Sequence, residues 1–99
     1  MNRYHLTQQA EQDLNDHYDY IARSSRANAT RLVQRLQHTC QTLAQFSGMG
    51  TPRDDLRIGM NVFSMGNYLI FYETTDDGVR ILRFLHGSRN ITPAQFRFP

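Results

Sequence analysis

The fold is decided by the stretch Tyr68-Leu-Ile-Phe-Tyr-Glu-Thr-Thr-Asp-Asp-Gly-Val-Arg-Ile-Leu-Arg-Phe-Leu-His86. Two runs in it, Tyr68 to Thr74 and Val79 to His86, are rich in the β-branched and aromatic residues that favour strands. The segment Thr75-Asp-Asp-Gly78 between them fits a tight turn, because glycine tolerates the positive φ angles that such turns require. The stretch therefore predicts an antiparallel β-hairpin.

A third strand is predicted immediately upstream, over Ile58 to Phe63, with a turn at Met65-Gly-Asn67. The three strands then form an antiparallel meander. Simple alternation along the last strand places Arg80, Leu82, Phe84 and His86 on one face and Val79, Ile81, Arg83 and Leu85 on the other. Because Arg83 is set among aliphatic residues, it requires either a carboxylate partner or an open, functional face.

The N-terminal half predicts a short strand followed by two amphipathic helices. Tyr4 and Leu6 alternate with polar neighbours, and Thr7 stands where an N-cap accepts a hydrogen bond from the first helical turn. Apolar residues then recur every three or four positions, which predicts one helix ending near Arg23 and a second running to about Phe46. The short connection between them favours an antiparallel helical hairpin.

The order of these elements predicts an α+β fold: an N-terminal strand, an antiparallel helical hairpin and a three-stranded antiparallel meander. Both helices are expected to cover one face of the sheet. The first strand can join this sheet. The stretch Ser47 to Asp55 is expected to be a loop, since it holds two glycines and a proline. A length of 99 residues indicates one domain, 1–99. Its C-terminal tail, 92–99, either packs on the sheet, contacts a target or is disordered.

Charge is segregated along the chain. All 11 basic residues are arginines, and against 9 acids they give a net charge of +2. The net charge is −3 over residues 1–20, +5 over 21–53, −4 over 54–77 and +4 over 78–99. This pattern suits either acidic partners or complementarity between neighbouring elements.

Several classes of site and location are disfavoured by the composition. The single cysteine, Cys40, cannot form an internal disulfide, and its place on an apolar helix stripe predicts a buried side chain. The four histidines lack metal-ligand spacing, so we expect no metal and no cofactor. The longest apolar stretch, Tyr68 to Tyr72, is far shorter than the roughly 20 residues of a membrane helix. With no signal peptide recognisable, we expect a cytoplasmic protein without membrane contact.

Few residues are suited to chemistry. His86, with Arg89 nearby, fits acid–base chemistry on an anionic substrate, because imidazole titrates near neutral pH. Alternatively, His86 only hydrogen-bonds a backbone group. Four arginines either converge on the uncovered sheet face as a phosphate-binding cluster or are solvated charges at sheet edges. They are Arg53, Arg57, Arg83 and Arg89.

Four segments, spread from Tyr4 to about Ile91, carry a family pattern. They are Tyr4-His-Leu-Thr-Gln-Gln-Ala10, Gly50-Thr-Pro-Arg53-Asp-Asp-Leu56, Tyr68-Leu-Ile-Phe-Tyr72 and Leu85-His-Gly-Ser-Arg89-Asn. Because these four segments occur in this order, the chain resembles a ParE-type toxin of the RelE/ParE superfamily. The resemblance implies the α+β fold already predicted from the residues.

The resemblance also implies a function and partners. ParE-type toxins belong to bacterial type II toxin–antitoxin pairs and inhibit DNA gyrase by binding, without catalysis of their own. A ParD-type antitoxin with a ribbon-helix-helix DNA-binding domain neutralises the toxin and brings it to operator DNA. The target-binding residues are then expected to be Arg83, His86 and Arg89. The acidic antitoxin tail is expected at Arg26, Arg31 and Arg35 of the second helix, although a solvated helix face is the alternative.

Two alternative functions remain open. The RelE branch of the same fold cuts messenger RNA in the ribosome, which implies His86 as general acid or base with Arg57 and Arg83 stabilising phosphate charge. The chain departs from that branch, since it has no lysine and its last tyrosine is Tyr72. The second alternative is a degenerate toxin that retains only antitoxin binding and co-repression.

Overall fold

The computed structural model describes residues 2–98 and contains a five-stranded sheet with two helices on one face. The elements in chain order are β1 (Arg3–Leu6), α1 (Gln8–Ala22), α2 (Arg26–Gln45), β2 (Thr51–Pro52), β3 (Met60–Met65), β4 (Tyr68–Thr75) and β5 (Gly78–His86). The strand order is β1-β5-β4-β3-β2, with β1 parallel to β5 and the other pairs antiparallel. The predicted α+β class, helical hairpin and meander are confirmed. Met1 and Pro99, the last residue of the predicted tail, lie outside the described residues.

Both helices begin at side-chain caps. The Thr7 hydroxyl accepts from the Ala10 amide at 3.0 Å, as predicted, and the Ser25 hydroxyl accepts from the Asn28 amide at 3.1 Å. Since each cap satisfies an otherwise unpaired first-turn donor, the boundaries of the hairpin follow from local sequence.

Two cores lie on opposite faces of the sheet. The helix-side core joins the helical hairpin to the sheet, and it contains Ala10, Leu36, Cys40, Leu43, Ala44, Ile70, Tyr72, Val79, Ile81 and Phe84. The tail-side core contains Leu56, Met60, Phe71, Leu82, Leu85 and Phe96. Phe96 comes from a 3-10 turn, Pro93–Phe96, and its ring centroid lies 4.7 Å from that of Phe71. The tail therefore packs on the sheet, and the face expected to be uncovered is partly covered.

A β-bulge changes the faces of β5. Ile81 pairs with Tyr72, but Arg83 pairs with the adjacent residue Phe71, so Leu82 is an extra residue in β5. Phe84 consequently joins the helix-side core. Leu82 and Arg83 both lie on the tail-side face. The predicted alternation is correct up to Leu82 and wrong from Arg83 to His86, because the bulge shifts the register by one residue.

The stretch expected to be a loop contains some regular structure. A 3-10 turn, Ser47–Met49, precedes β2, which pairs with β3. The Tyr72 hydroxyl accepts from the Gly50 amide at 2.9 Å and donates to the Ser47 carbonyl at 2.6 Å. A Cβ at Gly50 would overlap that hydroxyl, so the close approach requires glycine there.

Within residues 2–98, neither helix combines the length and the apolar composition that spanning a membrane requires.

Candidate partner-binding site

Helix α1 closes the open edge of β5 beyond the end of β1. Thr7 Oγ1 donates to the Leu82 carbonyl at 2.9 Å, and Asp13 Oδ2 accepts from the Phe84 amide at 3.1 Å. His17 Nε2 lies 2.8 Å from the Phe84 carbonyl, and because a carbonyl only accepts, Nε2 carries the proton. The N-cap residue and two side chains of α1 thus replace a neighbouring strand and satisfy the edge backbone.

Arg83 is buried and fully engaged at this edge. Its Nε and Nη2 donate to the two carboxylate oxygens of Asp13, at 2.7 and 2.8 Å, and its Nη1 donates to the Gln95 carbonyl at 3.1 Å. Arg83 is 8% exposed and Asp13 is 5% exposed. Of the two alternatives for Arg83, the structure contains the carboxylate partner, which compensates the desolvation of the guanidinium.

The other arginines of the expected phosphate cluster have separate contacts. Arg57 Nη1 donates to the Phe96 carbonyl at 2.9 Å, and its guanidinium lies 5.1 Å from the Phe98 ring centroid. Arg53 donates to both oxygens of Asp55, and this hydrogen bonding lowers the pKa of that carboxyl. Arg57 therefore holds the tail on the tail-side face, and Arg53 is paired with Asp55. The two arginines do not form an open phosphate-binding cluster.

His86 ends β5 and begins a turn that is fixed at several points. Its Nδ1 accepts from the Ser88 amide at 3.2 Å and lies 2.7 Å from the Ser88 hydroxyl, which leaves Nε2 as the protonated nitrogen of the neutral ring. The Arg89 amide donates to the His86 carbonyl at 3.0 Å, and the Gly87 amide donates to the Asn67 carbonyl at 2.7 Å. The backbone of the turn that carries Arg89 is thus held against the β3–β4 connection.

A surface pocket of about 530 Å³ lies beside this turn. Tyr68 forms edge-to-face contacts with the rings of His17 and His86, at centroid distances of 4.9 and 5.3 Å. Tyr20, 68% exposed, also lines the pocket. Burial raises the pKa of Tyr68, with a smaller contribution from Tyr20, so its hydroxyl is neutral near pH 7. We call this group of residues, with Ser88, the His86 pocket.

Sequence reasoning missed the contribution of α1 to this site. Asp13, His17, Tyr20 and Ile21 recur at helical spacing, so they lie along one stripe of α1. Asp13 was the signal that could have revealed this site. It is a charged residue on a stripe that also contains apolar residues, and such a charge requires a partner elsewhere in the fold.

The arginines expected to bind an antitoxin lie on α2. Arg31 and Arg35 line a surface pocket of about 350 Å³ together with His38 and Met65, whereas Arg26, the first residue of α2, lies outside it. Arg31 also donates to the Asn28 side chain. Among residues 2–98, none of these three arginines has a carboxylate within 4.0 Å. Their positive charge is therefore unmatched inside the described part of the chain.

The described residues contain neither a metal-binding cluster nor a reactive thiol. In residues 2–98, no group of three or more His, Cys, Asp or Glu side chains is arranged to hold a metal ion. Cys40 is fully buried, and burial raises the pKa of its thiol to about 12. Since the thiolate is the reactive form, Cys40 is not an available nucleophile.

Comparisons with known proteins agree with this fold. The sequence model of the family described as "ParE toxin of type II toxin-antitoxin system, parDE" matches residues 4–91. Toxin ParE1 of Caulobacter vibrioides is 36% identical over 93 residues, which cover 91% of this chain and 94% of that protein. Toxin ParE3 of the same bacterium is 32% identical over 63 residues, covering 64% of this chain and 63% of that protein.

A solved structure described as "Chromosomal ParDE TA system from P. aeruginosa" has a TM-score of 0.72 and 21% sequence identity. The match covers 87% of this chain and 96% of that chain. At this level of identity, the similarity concerns the fold.

Proposed function

The chain belongs to the ParE toxin family of type II toxin–antitoxin systems, and on that basis we propose that it inhibits DNA gyrase by binding and is neutralised by a ParD-type antitoxin. The proposed antitoxin carries a ribbon-helix-helix domain, through which the pair reaches operator DNA. The proposed site of action is the cytoplasm, where gyrase and the operator are found.

The observation that carries this proposal is that two arginines needed by the ribonuclease alternative are engaged within the fold. Arg83 is bound to Asp13 and to the tail backbone, and Arg57 is bound to the tail backbone near Glu73. A ribonuclease requires cationic donors positioned where phosphate charge develops. Because these guanidinium groups have protein partners, the geometry supports binding without catalysis over cleavage of messenger RNA.

We propose that the gyrase-binding surface is the His86 pocket with Arg89. The surface combines exposed tyrosine, two imidazoles and a flanking guanidinium, a composition that suits protein interfaces. The backbone bonds of the Gly87–Arg89 turn support a preorganised surface, which reduces the entropic cost of binding. Arg83 contributes to this surface indirectly, by fixing β5 beneath it.

We propose that an acidic segment of the antitoxin binds α2 at Arg31 and Arg35, with Arg26 extending the surface toward the start of the helix. Their unmatched charge supports this assignment. Complementary charge across an interface accelerates association and selects the partner. The adjoining pocket includes the apolar side chain of Met65, which offers contact for an apolar residue of the same segment.

The gyrase proposal is tested by incubating the purified protein with gyrase, ATP and plasmid, and then measuring linear DNA after the complexes are denatured. We expect linear DNA with the wild type and a large loss with Arg89→Ala. The matched control is Arg26→Ala, which removes one arginine from α2 and should leave the linear DNA unchanged. No linear DNA from folded wild-type protein refutes the proposal, and cleavage of messenger RNA in a programmed ribosome would then support the ribonuclease alternative.

The antitoxin proposal is tested by calorimetric titration with the cognate antitoxin. Charge reversal at Arg31 and Arg35 should weaken binding strongly, and more so at low salt, whereas Arg89→Ala should not change the affinity. In the gyrase assay the charge-reversed variants should still produce linear DNA, whereas Arg89→Ala should lose it. Unchanged affinity after charge reversal places the antitoxin elsewhere on the toxin.

A further inference from the structure

A third pocket lies at the opposite end of α1 from the His86 pocket. It has a volume of about 710 Å³ and lies between the first turns of α1, the strand β5 and the tail. Its lining includes Gln8, Gln9, Gln12, Arg80, Arg97 and Phe98. Neither Arg80 nor Arg97 takes part in the gyrase or antitoxin proposals, so the pocket is independent of both.

The docked tail builds one wall of this pocket. Arg57 donates to the Phe96 carbonyl, and its guanidinium lies over the Phe98 ring, so the Phe96 backbone and the Phe98 side chain on either side of Arg97 are both held by Arg57. This anchoring brings Arg97 from the end of the chain to the same pocket as Arg80 from β5. Arg80 and Arg97 thus line one cavity although they come from separate elements of the chain.

Positive charge in this region exceeds the available negative charge. Glu73 is the carboxylate within 4.0 Å of Arg80, at 3.3 Å, and it also lies 3.8 Å from Arg57. Arg97 has no carboxylate within 4.0 Å among residues 2–98. Of the two arginines that line the pocket, Arg80 shares Glu73 with Arg57 and Arg97 has no carboxylate among residues 2–98, which leaves the pocket suited to an anion.

Arg80 also carries an unsatisfied donor. Among residues 2–98, its Nε is the buried side-chain nitrogen without a hydrogen bond, since the contact with Glu73 has the distance but not the alignment of one. Its side chain as a whole is 41% exposed and lines the pocket. A buried unpaired donor costs stability, so Glu73 does not fully satisfy the Arg80 guanidinium.

We propose that this pocket, which we call the Arg80–Arg97 pocket, binds a carboxylate side chain of a short acidic peptide segment from a protein partner. Guanidinium groups bind carboxylates in bidentate geometry, and Phe98 offers an apolar surface for a neighbouring peptide side chain. The lining disfavours a nucleic acid, because Arg80 already contacts Glu73 and Arg97 is the one lining arginine without a carboxylate within 4.0 Å among residues 2–98. A continuous phosphate backbone requires several cationic contacts, whereas a carboxylate side chain requires one or two guanidinium groups.

The proposal is tested by NMR titration of the full chain, labelled with ¹⁵N, with the blocked peptide acetyl-Asp-Leu-Asp-Leu-amide. We expect saturable shifts in the Nε–H signals of Arg80 and Arg97. Arg97→Gln should weaken the binding about tenfold, the loss expected when one charge-assisted hydrogen-bond donor is removed. Because Arg97 makes no contact within the core, this variant should keep the wild-type spectrum outside the pocket. Arg80→Gln provides a second variant with the same expected loss.

Arg26→Gln is the matched control, because it removes one arginine from α2 and should leave the peptide affinity unchanged. Absence of saturable shifts overturns the proposal, as does equal weakening by Arg26→Gln. A duplex DNA oligonucleotide or inorganic phosphate that shifts the same signals at lower concentration than the peptide also overturns it, because the ligand is then a phosphate. A peptide that binds Arg97→Gln and Arg80→Gln as tightly as the wild type places the carboxylate elsewhere.

Discussion

The guanidinium of Arg83 binds both carboxylate oxygens of Asp13 and joins the last strand to the first helix across 70 residues of sequence. The same carboxylate accepts the Phe84 amide, so the pair also satisfies the edge of β5. The arrangement starts at the bulge, which turns Arg83 toward the tail-side face and the open edge. The end of β5, which carries His86, is therefore held in place by a buried ion pair.

Loss of one partner from this pair should destabilise the fold severely. We expect Asp13→Ala to lower the free energy of unfolding by about 3–5 kcal/mol, because Arg83 then remains buried without its counter-charge. Urea denaturation followed by circular dichroism measures the change. The double variant Asp13→Leu with Arg83→Met should recover much of the loss, since replacing both charges removes the unpaired ion. Equal stabilities of Asp13→Ala and the wild type would contradict a structural role for the pair.

The tail should contribute to stability through Phe96. Phe96 is 2% exposed and packs against Phe71, so we expect Phe96→Ala to cost about 3–5 kcal/mol in the free energy of unfolding. The matched control is Phe98→Ala, which removes a ring that is only partly buried and should cost clearly less. Chemical denaturation of both variants tests the difference. A stable Phe96→Ala variant would show that the tail is dispensable for the tail-side core.

The hydroxyl of Tyr72 should stabilise the segment between α2 and β2. Tyr72→Phe leaves the Gly50 amide and the Ser47 carbonyl without their partner, and we expect a loss of about 1–3 kcal/mol. Tyr20→Phe, at an exposed ring, is the control and should change stability by less than about 0.5 kcal/mol. Thermal denaturation of the two variants distinguishes them, and equal melting temperatures for both would refute the role of the Tyr72 hydroxyl.

Cys40 should be unreactive in the folded protein. Burial raises the pKa of its thiol to about 12, so at pH 8 iodoacetamide should modify the chain slowly in buffer and rapidly in urea. The raised pKa also makes the free energy of unfolding depend on pH. Below the unfolded pKa of 9.0 the thiol is neutral in both states and folding loses nothing, whereas stability falls as the pH rises from 9.0 toward 12. Mass spectrometry of the alkylated chain measures the rate. Modification at the same rate with and without urea would contradict the burial.

Much of the fold could be predicted because its signals are local. Thr7 marks the start of α1 by a cap three residues from its donor, and the helices carry their apolar stripes at helical spacing. The turn at Thr75 to Gly78 lies between two strands that are adjacent in sequence. For such features the interacting residues are close in the chain, so the pattern of residue types is sufficient to predict them.

The candidate site depends on contacts that no local pattern encodes. Alternation along β5 cannot reveal that Leu82 is an extra residue, because a bulge depends on the pairing with β4. The partner of Arg83 could be anticipated as a carboxylate, but its identity as Asp13 required the folded arrangement of α1 and β5. The local sequence leaves three roles open for the tail, and the packing of Phe96 in the tail-side core selects one of them.

The sequence by itself thus determined both helices, the main strands, the fold class and the family resemblance, because periodicity, caps and motif order are read within short stretches of chain. Tertiary structure decided which charges are free. Arg83 and Arg57 are engaged inside the fold, whereas Arg31, Arg35 and Arg97 have no carboxylate partner among residues 2–98. The physical reason is that a charge is neutralised by groups near it in space, and in this protein those groups come from distant parts of the chain.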